Sequence, residues 1–81
     1  GAKIGSFTKI LNKASVAHDS IVGNYVQISD GATIAGNANI GDNSVIGINS
    51  AIINKCNVGK RVIVVSGKTV TNDLDDNIVF K

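Results

Sequence analysis

Every sixth residue from position 4 to position 70 is isoleucine or valine: Ile4, Ile10, Val16, Val22, Ile28, Ile34, Ile40, Ile46, Ile52, Val58, Val64 and Val70. These twelve positions take more than half of the 22 isoleucines and valines in the 81-residue chain. Four residues after each of them stands something small or aliphatic: Thr8, Ala14, Ser20, Val26, Ala32, Ala38, Ser44, Ser50, Cys56 and Val62, with Lys68 and Leu74 as departures. A repeat of six is too short for a helix pair or a propeller blade, and it suits one short strand followed by one bend. The scarcity of aromatic residues and the absence of Pro, Trp and Met fit the same strand-rich reading.

Gly23, Gly41, Gly47 and Gly59 directly follow the register aliphatic, and Asn24, Gly31, Gly36, Asn37, Asn43, Asn49 and Asn54 crowd the positions after it. Such residues tolerate left-handed backbone at turns. Three strand-and-bend sides close one triangular coil of eighteen residues, so residues 4–75 predict four stacked coils with the aliphatic column inside. Residues 1–3 read as a lead-in. The tail, 76–81, breaks the register, and Ile78-Val79-Phe80 is expected to fold back as a strand or cap over the last coil. So small a prism leaves broad faces and open ends, for which self-association is the expected remedy.

Net charge is +2, too slight to argue for nucleic acid. Lys55, Lys60, Arg61, Lys68 and Lys81 gather in the last third, either as solvated corners or as partners for a phosphorylated ligand. A single cysteine excludes an internal disulfide framework, and Cys56 holds a small inward position that suits a buried spacer. No segment reads as a signal peptide or membrane span, which points to a reducing, cytoplasmic setting. The chain begins with Gly1-Ala2 rather than Met, as a fragment of something longer would.

Chemistry must be sought outside the aliphatic column. The only histidine, His18, lies beside a corner and is followed by Asp19. One reading is a solvated corner residue, since Asn and Asp fill equivalent positions elsewhere. The other is a general base, because a neutral imidazole is well suited to accept a proton near neutral pH and an adjacent carboxylate holds its ring. One histidine cannot supply a three-histidine zinc site, and no phosphate loop or paired-cysteine motif occurs, so no metal site is expected. Thr8, Thr33, Thr69 and Thr71 do not form a regular flat array.

The segment Ala14-Ser15-Val16-Ala17-His18-Asp19-Ser20-Ile21-Val22-Gly23-Asn24-Tyr25-Val26-Gln27-Ile28 resembles the signature of the sialic acid O-acetyltransferase family, which includes acetyltransferases of nucleotide-linked 4-amino-sugars. Gly31-Ala32-Thr33-Ile34-Ala35-Gly36, Ile40-Gly41-Asp42 and Val45-Ile46-Gly47-Ile48-Asn49-Ser50 continue the likeness. The resemblance implies an all-β, single-stranded left-handed parallel β-helix, an exception to the right-handed crossover rule. It also implies a homotrimer, acetyl-CoA as acyl donor, and a sugar or nucleotide-sugar acceptor.

By the same resemblance His18 is the catalytic base and Asp19 its supporting carboxylate. Gln27 stands where many members carry a second histidine that contacts acetyl-CoA. Gly47, Ile48, Ser66 and Gly67 fall where main chain lines the pantetheine groove, with Ser66 in place of a more usual Gly or Ala. Lys60, Arg61 or Lys68 would neutralise the phosphates of the donor. Members normally carry an N-terminal α/β domain for the nucleotide-sugar, which 81 residues do not provide. A non-catalytic trimerisation or scaffold module, with His18 incidental, is the alternative.

Overall fold

The computed structural model describes residues 1–81. It contains thirteen two-residue strands: β1 (Lys3–Ile4), β2 (Lys9–Ile10), β3 (Ser15–Val16), β4 (Ile21–Val22), β5 (Gln27–Ile28), β6 (Thr33–Ile34), β7 (Asn39–Ile40), β8 (Val45–Ile46), β9 (Ala51–Ile52), β10 (Asn57–Val58), β11 (Ile63–Val64), β12 (Thr69–Val70) and β13 (Val79–Phe80). They form three parallel sheets, each a face of a triangular prism. The first face is β1-β4-β7-β10, the second β2-β5-β8-β11-β13, and the third β3-β6-β9-β12. Partners lie eighteen residues apart, as in Ile4↔Val22 and Ile28↔Ile46, so one coil is three hexads. The chain forms the left-handed parallel β-helix of four coils that the repeat and the resemblance predict.

The second residue of each strand points inward. Ile28, Ile34 and Ile46 are wholly buried, as are the small-position residues Ala32, Ala38 and Val62. Polar side chains at the small position are satisfied along the prism axis. Ser44 Oγ donates to the Gly59 carbonyl at 2.9 Å and accepts the Val62 N–H at 3.0 Å. Ser50 Oγ likewise donates to the Val65 carbonyl and accepts the Lys68 N–H. Burial of these hydroxyls is tolerable because each replaces a coil-to-coil bond that the backbone alone does not make. At the amino-terminal end the column is open, and Ile4 and Ile10 remain exposed.

Left-handed backbone falls on the third residue after each register aliphatic, at six-residue intervals from Phe7 to Gly67. Gly31, Asn37, Asn43 and Asn49 occupy this position as expected of such residues, but so do Phe7, Lys13, Asp19, Tyr25, Lys55 and Arg61. Closure of the triangle dictates the turn and overrides local preference. The glycines directly after the aliphatic serve close approach instead. A Cβ on Gly41 would lie 2.6 Å from the Gly59 carbonyl carbon in the next coil.

The register does not run evenly to Asp75. Val58 pairs with Leu74, sixteen residues on, so the side between Val70 and Leu74 is two residues short. Six-residue spacing then resumes: Asn77 takes the left-handed position and Phe80 pairs with Val64. The tail is therefore a strand that continues the second face in parallel, rather than a segment folded back over the end. Leu74 and Phe80 pack against the core, and this apolar burial fixes the shortened side.

Candidate active site

Each coil turns three corners: the first joins the first and second faces, the second joins the second and third, and the third returns to the first. His18 and Asp19 lie on the third corner, directly after β3. The chain closes its triangle there in the left-handed turn at Asp19 (φ 58°). His18 Nδ1 stands 3.4 Å from Asp19 Oδ2, and the two side chains are 75% and 66% exposed. The imidazole is thus available to a ligand approaching from outside the prism. With its proton on Nδ1, toward the carboxylate, Nε2 is left as the acceptor.

The ring lies against the next coil. A Cβ on Gly36 would sit 2.9 Å from both His18 Cε1 and Nε2. The Asn37 N–H donates to the His18 carbonyl at 3.1 Å, and Ser20 Oγ donates to the Ala35 carbonyl at 2.8 Å. Main chain on either side of the ring is therefore tied to the coil above.

The structure brings Gly47, Ile48, Ser66 and Gly67 together on the second corner. The Gly67 N–H donates to the Ile48 carbonyl at 2.8 Å, and a Cβ on Gly47 would lie 2.7 Å from the Ser66 N. Ile48 is half exposed, and the space around the Gly67 Cα is open. A groove of about 340 Å³ runs down the same corner, lined by Asn12, Lys13, Asp30, Gly31, Ile48 and Asn49. Gln27 is half-buried on the second face, its amide donating to Ser29 Oγ at 3.3 Å. Within one prism these residues do not meet His18: the third face lies between the second and third corners.

Of the basic residues of the last third, Lys68 is on the second corner and Lys55 on the third. Lys60 and Arg61 belong to the first, where Arg61 Nε donates to Asn77 Oδ1 at 2.7 Å. Lys81, which follows β13, extends the second face toward the second corner. The groove residues Lys13, Asp30 and Asn49 carried no signal in the repeat, because polar residues fill their positions on most corners. No group of three His, Cys, Asp or Glu side chains is disposed to hold a metal ion, and no helix is long and apolar enough to cross a membrane.

The model of the bacterial transferase hexapeptide family (six repeats) matches residues 1–36. No curated protein matches the sequence. Among solved structures, GDP-perosamine N-acetyltransferase from Caulobacter crescentus, a histidine-to-alanine variant in complex with CoA and GDP-perosamine, is 26% identical with a TM-score of 0.93, over 94% of this chain and 36% of that one. The acetyltransferase domain of PglB from Neisseria gonorrhoeae, in complex with acetyl coenzyme A, is 28% identical with a TM-score of 0.80, over 94% and 46% respectively. Serine acetyltransferase isoform 3 from Entamoeba histolytica matches in fold, at 20% identity and a TM-score of 0.93, over 100% of this chain and 32% of that one. The chain thus spans about a third to a half of the proteins it resembles. It is a hexapeptide-repeat β-helix, similar in fold and sequence to the corresponding part of GDP-perosamine N-acetyltransferase and to the PglB acetyltransferase domain.

Proposed function

We propose that this β-helix is the catalytic part of an acetyl-CoA-dependent acetyltransferase that transfers acetyl to an amine or hydroxyl of a sugar, with His18 as general base. The observation that carries the reading is the lone, exposed imidazole at a prism corner with a carboxylate 3.4 Å from its Nδ1. The likeness to GDP-perosamine N-acetyltransferase bound to CoA and to the PglB acetyltransferase domain bound to acetyl-CoA supports the donor.

The residues of the second corner suit that donor. Ile48 offers an apolar surface, the bare main chain at Ser66–Gly67 can face the amides of a pantetheine arm, and Lys68 places positive charge beside them. Two prisms side by side would set the third corner of one, with His18, against the second corner of its neighbour. Self-association is favoured by the outer side of the second face, where Val45, Ile63 and Val79 stack in register and Ile63 and Val79 stay nearly half exposed. We assign the assembly as a homotrimer.

In the reaction the acceptor nitrogen or oxygen attacks the thioester carbon while His18 Nε2 takes its proton. Asp19 stabilises the imidazolium so formed. Collapse of the tetrahedral intermediate breaks the carbon–sulfur bond, and the proton returns from His18 to the departing thiolate. A general base of this kind contributes roughly 10²–10⁴-fold. No acyl-enzyme is involved, since Cys56 is buried and its thiol is pushed up by desolvation and by Asp73.

The test is calorimetric titration with acetyl-CoA, sedimentation equilibrium, and thiol release from acetyl-CoA with millimolar GDP-perosamine as the acceptor probe. His18→Ala is expected to keep the trimer and donor affinity while turnover falls by about 10²–10⁴-fold. Absence of acetyl-CoA binding by the assembled protein would favour the scaffold. Undiminished turnover in His18→Ala would remove the role given to the imidazole.

A further inference from the structure

The second residue after the register aliphatic is polar or large at nearly every corner: Ser6, Asn12, His18, Asn24, Asp30, Asp42, Ile48, Asn54, Lys60, Ser66 and Asn72. Gly36 is the single glycine in this series. Its backbone is not in the left-handed region, so no turn requires it. It stands eighteen residues after His18, directly above it on the third corner, and the imidazole occupies the space that its side chain would fill.

The side chain at this position ties coil to coil on one corner only. On the first corner Asn24 Oδ1 accepts the Ser6 N–H, and Asp42 Oδ1 accepts the Asn24 N–H, each at 2.8 Å. On the third corner no such bond is made: neither Asn54, eighteen residues after Gly36, nor Asn72, eighteen after Asn54, accepts the N–H below it, so the glycine is not explained by a cap. The atoms a Cβ would press on are Cε1 and Nε2, at the far end of the ring and including the nitrogen assigned to proton transfer.

We infer that Gly36 is a positioning residue for acyl transfer: its missing side chain is the seat on which the His18 ring lies, setting the direction of Nε2. The inference rests on the role proposed for His18. The ring is the free end of an exposed side chain and swings away readily, so a substitution at 36 disturbs its aim rather than the fold. Misplacement of a reacting group by about 1 Å lowers rate by up to about 10²-fold.

The test compares Gly36→Ala, Gly36→Asn and His18→Ala in the same assay. Both Gly36 variants are expected to lower kcat by about ten- to a hundred-fold while the KM for acetyl-CoA stays within about twofold. Gly36→Ala should hold Tm close to wild type while kcat falls, a split that a merely structural glycine would not give. In NMR spectra the wild-type contact between His18 Hε1 and the Gly36 Hα protons should vanish in Gly36→Ala. Loss of turnover in His18→Ala with wild-type kcat in both Gly36 variants would overturn this inference alone. Wild-type turnover in His18→Ala would overturn it together with the function proposed above.

Discussion

Leu74 faces Val58 across sixteen residues, where the preceding contact on that face, Ile40 with Val58, spans eighteen. The shortened side is held by carboxylates: Asp73 Oδ1 accepts the Asn57 N–H and Asp76 Oδ1 the Lys60 N–H, each at 2.8 Å. Asp76→Ala should lower stability by about 1 kcal/mol, the low end for a charge-assisted bond because the site is exposed. Urea denaturation measures the loss. Hydrogen exchange should show faster exchange at the Lys60 N–H and no change at the Ile28 N–H in the middle of the prism.

The aliphatic column is not uniform in its contribution. Ile46 is wholly buried between coils, whereas Ile4 is 42% exposed at the open end. Ile46→Ala should cost about 2–5 kcal/mol through lost burial and the cavity left behind. Ile4→Ala should cost less than about 1 kcal/mol, because half its surface already meets water. Comparing the two in one denaturant series checks the difference.

Ser44 tests whether the buried hydroxyls are structural. Replacing it by alanine strands both the Gly59 carbonyl and the Val62 N–H inside the prism. The expected loss is about 1–3 kcal/mol, more than burying a methyl in place of a hydroxyl returns. Thermal unfolding of Ser44→Ala and Ser44→Thr separates the bonds from the volume.

Cys56 gives the chain an alkaline limit. Burial first, and Asp73 second, raise its thiol above the ordinary value of 9.0. A raised folded value means that the unfolded chain gives up this proton first. Its contribution to stability is therefore full below pH 9.0 and is lost as pH rises toward the folded value. Stability measured from pH 7 to 10.5 should fall at the upper end, and Cys56→Ala should flatten that fall. Native protein should also react slowly with a thiol reagent.

The inward column from Ile4 to Val70 was legible because burial selects side chains every six residues regardless of what fills the corners. The left-handed positions were legible only in part, at Gly31, Asn37, Asn43 and Asn49. Phe7, Tyr25 and Arg61 occupy others because closure of the triangle imposes the turn, and local propensity carries no trace of that. The short side after Val70 was hidden because Leu74 reads as an error in the old register, although its six-residue spacing to Phe80 marks a new one. His18 and Asp19 stood out by chemistry. Gly36 becomes visible only when the coil length is known, since its significance lies in what stands eighteen residues before it.

Because each coil as far as Val70 rests on the one below in unbroken register, adding or removing eighteen residues there changes one dimension only. A whole coil inserted after Gly36 would move the Ser66 end away from His18 by about 4.8 Å, the distance between paired strands, while every side chain kept its face. Length along the prism is thus quantised. The reach of the proposed donor toward His18 would then be set in whole steps of that size.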